Sequence, residues 1–188
     1  MKKCKVFLGL FVCLLISAFC FTLVGCSDNQ KREFVNKYGE GKAFSMTLEV
    51  STVSYDISSL TGDYKEVAKY SISKADALSS KISIISDSSS SNKITTYSEN
   101  DNINAYNLHS SYSSSICYNT YNMKSYSKDG KKHIALHEMG HTFGLVDIYD
   151  SAVEPYSVMY GYYSNSSKYT FTDYQEFDIH NVRWKYGE

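Results

Sequence analysis

The sequence predicts an α+β domain behind an N-terminal export segment. Short runs rich in β-branched and aromatic residues, such as 93–97 (KITTY), are separated by stretches of serine and asparagine, which reads as strands joined by turns. Between the first two of these runs, residues 63–79 place Tyr64, Val67, Ala68, Ile72, Ala75 and Leu78 near a 3.6-residue period, which reads as an amphipathic helix. Two further helices are expected late in the chain, over 130–143 and 173–185, the last with Thr172 or Asp173 as its N-cap. The order is therefore strand, helix, several strands, helix, long loop, helix. A twisted mixed β-sheet with one packing helix is expected.

The first residues stand apart from this domain. Lys2, Lys3 and Lys5 precede an uncharged run over 6–25, the basic-then-apolar order of a secretion signal. Leu23-Val24-Gly25-Cys26 resembles the lipobox of bacterial lipoproteins, which implies cleavage before Cys26 and acylation of its thiol. An uncleaved membrane anchor is the alternative, since about 20 apolar residues just span the hydrocarbon core. In either case the lysines stay inside and the rest of the chain lies on the extracytoplasmic face, lipid-anchored or secreted. The organisation read from the sequence is a signal over 1–25, a polar tether over 26–42 and a folded domain over 43–188.

Within the domain, strands are expected over 43–57, 81–85, 93–97, 105–108 and 115–123, with the serine run 86–91 as a turn. Four of the 5 cysteines fall in or at the signal, leaving only Cys117 in the domain and no intrachain disulfide there. Cys117 reads as a small buried hydrophobe. The formal net charge of −1 argues against a nucleic-acid partner. The 18 tyrosines suit half-buried strands and by themselves suggest no function.

The chemistry is concentrated in one helix. His137-Glu138-Met139-Gly140-His141 is an H-E-x-x-H. Residues four apart lie one turn above each other on the same face, so both imidazoles can reach one zinc ion. Glu138 is rotated about 100° from His137, which suits it to a water rather than the metal, as general base. Gly144 can take positive φ and reverse the chain, bringing Asp147 back as a third, oxygen ligand. Three protein ligands and an open position are what a hydrolytic zinc site needs.

Ser157-Val158-Met159-Tyr160 follows after a loop. Together, H-E-x-x-H-x-x-G-x-x-D and this methionine-containing stretch resemble the metzincin peptidases, with Met159 in the place of the Met-turn. Aspartate at the third-ligand position is similar to the snapalysin family, and Tyr149 matches a tyrosine of that pattern near the zinc. The resemblance implies a metzincin-like α+β fold and a zinc endopeptidase acting on proteins or peptides. Tyr149 is then a candidate oxyanion donor, and substrate would lie extended along an edge strand. A non-catalytic zinc-binding surface lipoprotein and a zinc amidase acting on cell-wall peptide are the rival readings. A monomer is expected.

Other residues offer weaker alternatives. His133 reads as solvent-facing beside Lys131 and Lys132, and His180 and Asp150 are outside candidates for the third ligand. His109 reads as a plain strand or loop residue. Asn100, Asp101, Asn102 and Asn104 offer oxygens that suit calcium, although such loops are usually only solvated.

Overall fold

The computed structural model describes residues 51–110 and 112–188. The basic-apolar segment, Cys26, the tether and the first half of the strand expected over 43–57 lie outside those residues. The elements in order are β1 (Thr52–Tyr55), α1 (Gly62–Asp76), β2 (Ser83–Ser86), β3 (Lys93–Tyr97), β4 (Ala105–His109), β5 (Ser114–Asn119), α2 (Thr120–Met123) and α3 (Lys128–Thr142). A 3-10 turn at Glu154–Tyr156 and α4 (Glu176–Lys185) complete the chain.

The α+β composition agrees with the sequence expectation, but the sheet does not. In place of one twisted mixed sheet there are two short ones: β1 paired parallel to β2, and a three-stranded sheet in the order β3-β5-β4. β5 is parallel to β3 and antiparallel to β4, which leaves β4 as an edge. A single bridge between Asp56 and Lys93 links the two sheets, with Asp56 N–H donating to the Asn92 carbonyl at 2.9 Å. The ladder goes no further because β1 ends at Tyr55 and the chain turns, with Asp56 Oδ1 accepting from Ser58 N–H at 2.8 Å.

Local hydrogen bonds moved several element ends. The strand expected to run to 123 stops at Asn119, whose side chain accepts from Tyr121 N–H at 3.1 Å and caps α2. α3 starts at Lys128 because Ser127 Oγ accepts from Gly130 N–H at 3.0 Å, satisfying one of the free donors of the first turn. α4 starts at Glu176 rather than near Asp173. There Gln175 and Asp178 form a reciprocal capping box, with Gln175 N–H donating to Asp178 Oδ2 at 2.9 Å.

One apolar core joins these pieces. Val67, Ala68, Ile72 and Ala75 of α1, Ile94, Ile116 and Tyr118 of the three-stranded sheet, and Ile134, Ala135, Leu136 and Met139 of α3 are all buried in it. A fully buried side chain such as Leu136 contributes about 1.5–3 kcal/mol relative to its exposed state. Core contacts therefore hold α3 firmly against the sheet. Polar contacts refine its position: buried Thr142 Oγ1 lies 2.8 Å from Tyr55 Oη, and Asn107 on β4 donates to both Thr142 Oγ1 at 2.9 Å and the Glu138 carbonyl at 2.7 Å. Lys131 of α3 reaches Asp63 of α1 at 2.9 Å, tying the two helices at their outer edges.

Candidate metal centre

α3 ends in a way that builds the centre. Gly144 has φ 86°, the left-handed region that favours glycine. Leu145 N–H donates back to the Gly140 carbonyl at 3.3 Å and Gly144 N–H to the His141 carbonyl at 3.0 Å, the two bonds of a Schellman motif. The reversed chain then pairs with the segment after the 3-10 turn. Ile148 N–H donates to the Met159 carbonyl at 2.9 Å and Gly161 N–H to the Ile148 carbonyl at 3.1 Å. Asp147 is thereby carried over the exposed face of the helix end.

His137 Nε2 lies 2.9 Å from Asp147 Oδ1, and His141 Nε2 lies 3.8 Å from the same oxygen. The candidate ligand atoms of these three residues all fall within 4.8 Å of one another. A tetrahedral zinc site with bonds of about 2.0–2.1 Å spaces its ligand atoms roughly 3.3 Å apart. The observed separations bracket that value, so the donor set fits zinc after small side-chain adjustments. Both imidazoles are held at Nδ1 by a backbone carbonyl. His137 Nδ1 donates to the Val158 carbonyl at 2.9 Å and His141 Nδ1 to the Leu145 carbonyl at 2.7 Å. Each carbonyl accepts a hydrogen bond from Nδ1–H, which leaves Nε2 as the nitrogen that faces the site and binds metal once it has lost any proton.

The Val158 carbonyl is itself positioned from α4. Asp178, fully buried, accepts from Ser157 Oγ at 2.5 Å, from Val158 N–H at 3.1 Å and from Gln175 N–H at 2.9 Å. Met159 is buried beneath the helix, where a Cβ on Gly140 would meet its sulfur at 2.6 Å. Glycine at 140 therefore allows the helix and the methionine to approach this closely.

Charge is distributed asymmetrically. Burial works against protonating His137, but the Asp147 and Glu138 carboxylates outweigh it and lift His137 to about 9. Burial and the neighbouring His137 push His141 down to about 4. Burial raises Glu138 to about 7, against the opposing pull of His137. Metal binding must displace the proton that His137 and Asp147 share, so the two would compete for the site. Glu138, His109, Asn107 and Tyr149 line the same cleft, of about 590 Å³.

The remaining candidates are not members of the ligand set. Tyr149, 56% exposed, donates from its hydroxyl to Asp147 Oδ2 at 3.3 Å, and its ring lies over Gly161. His180 is exposed on α4, and Asp150 Oδ1 accepts from Ala152 N–H at 2.9 Å in the following turn. Cys117 is half-buried beside Thr95 Oγ1 at 3.1 Å. Asp101 Oδ1 accepts from Ile103 N–H and from the amides of Asn119 and Asn122. His133 is not solvent-facing: it is 2% exposed, and its ring stacks on Tyr163. The face of α3 read as open is covered by the 163–171 segment, whose fold no local pattern announced. His109, read as a plain strand residue, stacks on His141 with ring centroids 6.3 Å apart. Val158, Leu145 and Asp178 were missed as supports. The Gln175-Glu176-Phe177-Asp178 spacing was the available sign of Asp178, as a capping box with glutamine and aspartate in place of the usual pair.

If Asp178 holds in place the Val158 carbonyl that orients His137, Asp178→Ala will weaken zinc binding about 10–100-fold, the usual cost of losing an outer partner of a ligand. Isothermal titration with zinc of a variant that keeps its native circular dichroism measures this. Unchanged affinity would show that the Val158 carbonyl is held without it.

No family model and no curated protein matches this sequence. Among solved structures, the fold is similar to a chain of the GM1-bound form of the ECX AB5 holotoxin, at 15% identity and a TM-score of 0.52. That likeness covers 81% of this chain and 82% of the other. The metzincin assignment, with its fold label, is corrected accordingly: the comparisons support a small α+β fold shared with a toxin chain. The endopeptidase activity and the peptide substrate rested on that assignment and are withdrawn with it. Among the described residues no helix is long and apolar enough to cross a membrane. At this level of identity the likeness extends to the fold alone.

Proposed function

We propose that this chain is an extracytoplasmic zinc-binding protein whose centre is His137, His141 and Asp147, with Glu138 placed to accept a proton from water. The observation that carries the reading is the pair of Nδ1-to-carbonyl hydrogen bonds, at 2.9 and 2.7 Å, which turn both Nε2 atoms toward one carboxylate oxygen. Three ligands of this kind leave one position open, whereas purely structural zinc sites are usually closed by four protein ligands. Zinc bound there would supply Lewis acidity, bringing the pKa of a coordinated water from 15.7 toward about 7. Glu138 neighbours His137 in sequence but points off its line, into the cleft, where a raised pKa suits it to proton transfer near neutral pH. Tyr149 orients Asp147 through its hydroxyl.

Asp147→Ala is expected to lower zinc affinity by two orders of magnitude or more, and His180→Ala to leave it unchanged. Glu138→Gln is expected to keep zinc but to lose 10²–10⁴-fold of any zinc-dependent hydrolysis of p-nitrophenyl acetate. Metal analysis and titration on the same preparations check both. A Glu138→Gln protein as active as the native one would remove Glu138 from the chemistry.

A glycan as the ligand of the cleft is a second reading, favoured by Tyr149, which lines it, and by Tyr162, whose ring packs on Tyr149. Tyr149 and Tyr162 are 56% and 64% exposed, with ring centroids 4.8 Å apart, and Tyr160 packs on Tyr162. Rings exposed in this way present apolar faces on which sugars stack. The GM1 oligosaccharide, titrated into the native chain and into Tyr162→Ala, is expected to bind only the native form. Equal binding, or none, would remove this reading.

The N-terminal attachment is proposed from Leu23-Val24-Gly25-Cys26. Cys26→Ser is expected to abolish lipoprotein-type processing, while Cys13→Ser leaves it intact. Intact mass of the membrane fraction checks this, and an unmodified N-terminal methionine on the membrane-bound native protein would show an uncleaved anchor instead.

A further inference from the structure

His133 stands one helical turn before His137 and has no part in the zinc proposal. It is 2% exposed. Its Nδ1 accepts from the Phe171 backbone N–H at 2.9 Å. A neutral imidazole that accepts at one nitrogen carries its proton on the other, so Nε2 is an N–H donor. That donor is buried and has no protein partner. One face of the ring lies on Tyr163, with centroids 3.8 Å apart and planes 21° from parallel. The Nδ1 edge is turned to the Phe171 backbone. His133 nevertheless lines the cleft together with Ile134, Gly161 and Tyr163. Nε2 is thus the one nitrogen of the ring left without a partner, buried in a residue that lines the cleft.

We propose that the His133 Nε2–H is the recognition donor of a subsite in the cleft wall, which takes an uncharged oxygen acceptor, a carbonyl or a hydroxyl, on an otherwise apolar ligand. A buried donor without an acceptor is a standing energetic cost, and a ligand oxygen that meets it removes that cost. The surrounding wall is apolar, formed by the Tyr163 ring and Ile134. Burial and the nearby His137 hold the His133 pKa down to about 3, so the ring stays neutral at ordinary pH. A carboxylate would therefore bring an uncompensated charge into this wall, with a single neutral donor to meet it. An uncharged acceptor makes the same hydrogen bond without that desolvation cost. The subsite is built from His133, Tyr163 and Ile134 and does not require metal at His137, His141 and Asp147.

The test compares acetophenone, ethylbenzene and benzoate, which share a phenyl body and differ in the acceptor. Each is titrated into the full chain, with and without zinc, while the His133 Nε2–H signal is followed by ¹⁵N NMR. Acetophenone is expected to bind about 10-fold more tightly than ethylbenzene, the worth of roughly one hydrogen bond, and to shift that signal to saturation. Benzoate is expected to bind no more tightly than ethylbenzene. In His133→Phe the preference for acetophenone should fall below about twofold. If that variant does not fold, because Phe171 N–H has lost its acceptor, the native protein decides the matter alone. Acetophenone binding no more tightly than ethylbenzene, or an unmoved His133 signal, overturns the subsite. The zinc-free titration keeps this result separate from any failure of the metal reading.

Discussion

The reversal of the chain at Gly144 is the constraint on which the candidate centre depends. A helix that continued would carry Leu145 and Asp147 along its own axis, away from His137. The left-handed residue instead returns the Leu145 amide to the Gly140 carbonyl, and this places three groups at once. The Leu145 carbonyl comes under His141 Nδ1, the Asp147 carboxylate comes over both Nε2 atoms, and Ile148 is set to pair with Met159. A residue with a Cβ at this position would meet the steric cost of positive φ, commonly 1–2 kcal/mol. One backbone conformation therefore serves both as a helix cap and as the hinge of the site.

Order around the histidines comes from groups that are not themselves ligands. Asp178 belongs to α4, yet its carboxylate fixes Ser157 and Val158, and the Val158 carbonyl fixes the His137 ring. Asn107 belongs to β4, yet it donates to the Glu138 carbonyl of α3. These bonds are buried or partly buried, so each is worth more than an exposed one and leaves a larger cost if half of it is lost. The ligand positions are thus determined by the packing of α4 and β4 on α3 as much as by α3 itself.

The likeness to a chain of the ECX AB5 holotoxin concerns architecture. Short sheets against two long helices make a frame that can host unrelated chemistries, and what a chain does is decided by the side chains set on that frame. Here those are two imidazoles oriented by backbone carbonyls, a convergent carboxylate, a second carboxylate in the cleft, and a tyrosine-rich rim. The same frame leaves β4 as an open edge beside the cleft.

Much of this was legible in the sequence because it is local. Helix periodicity places α1 and α3, the four-residue spacing puts His137 and His141 on one face, and glycine at 144 marks the reversal. The identity of possible metal donors follows from side-chain chemistry and spacing alone. The sequence did not show where the sheet divides, because a ladder between β1 and β3 depends on how far two distant segments stay in register. Nor did it show that His133 is buried. Its burial comes from Tyr163 and Phe171, about 30 to 40 residues away, folding over a helix face that looks polar in isolation. The carbonyl groups that orient the histidines carry no sequence signal, since every residue has one. Residue type and near spacing determine which groups are available; only the packing of distant segments decides which of them meet, because that packing is selected by the burial of the whole core and not by any local pattern.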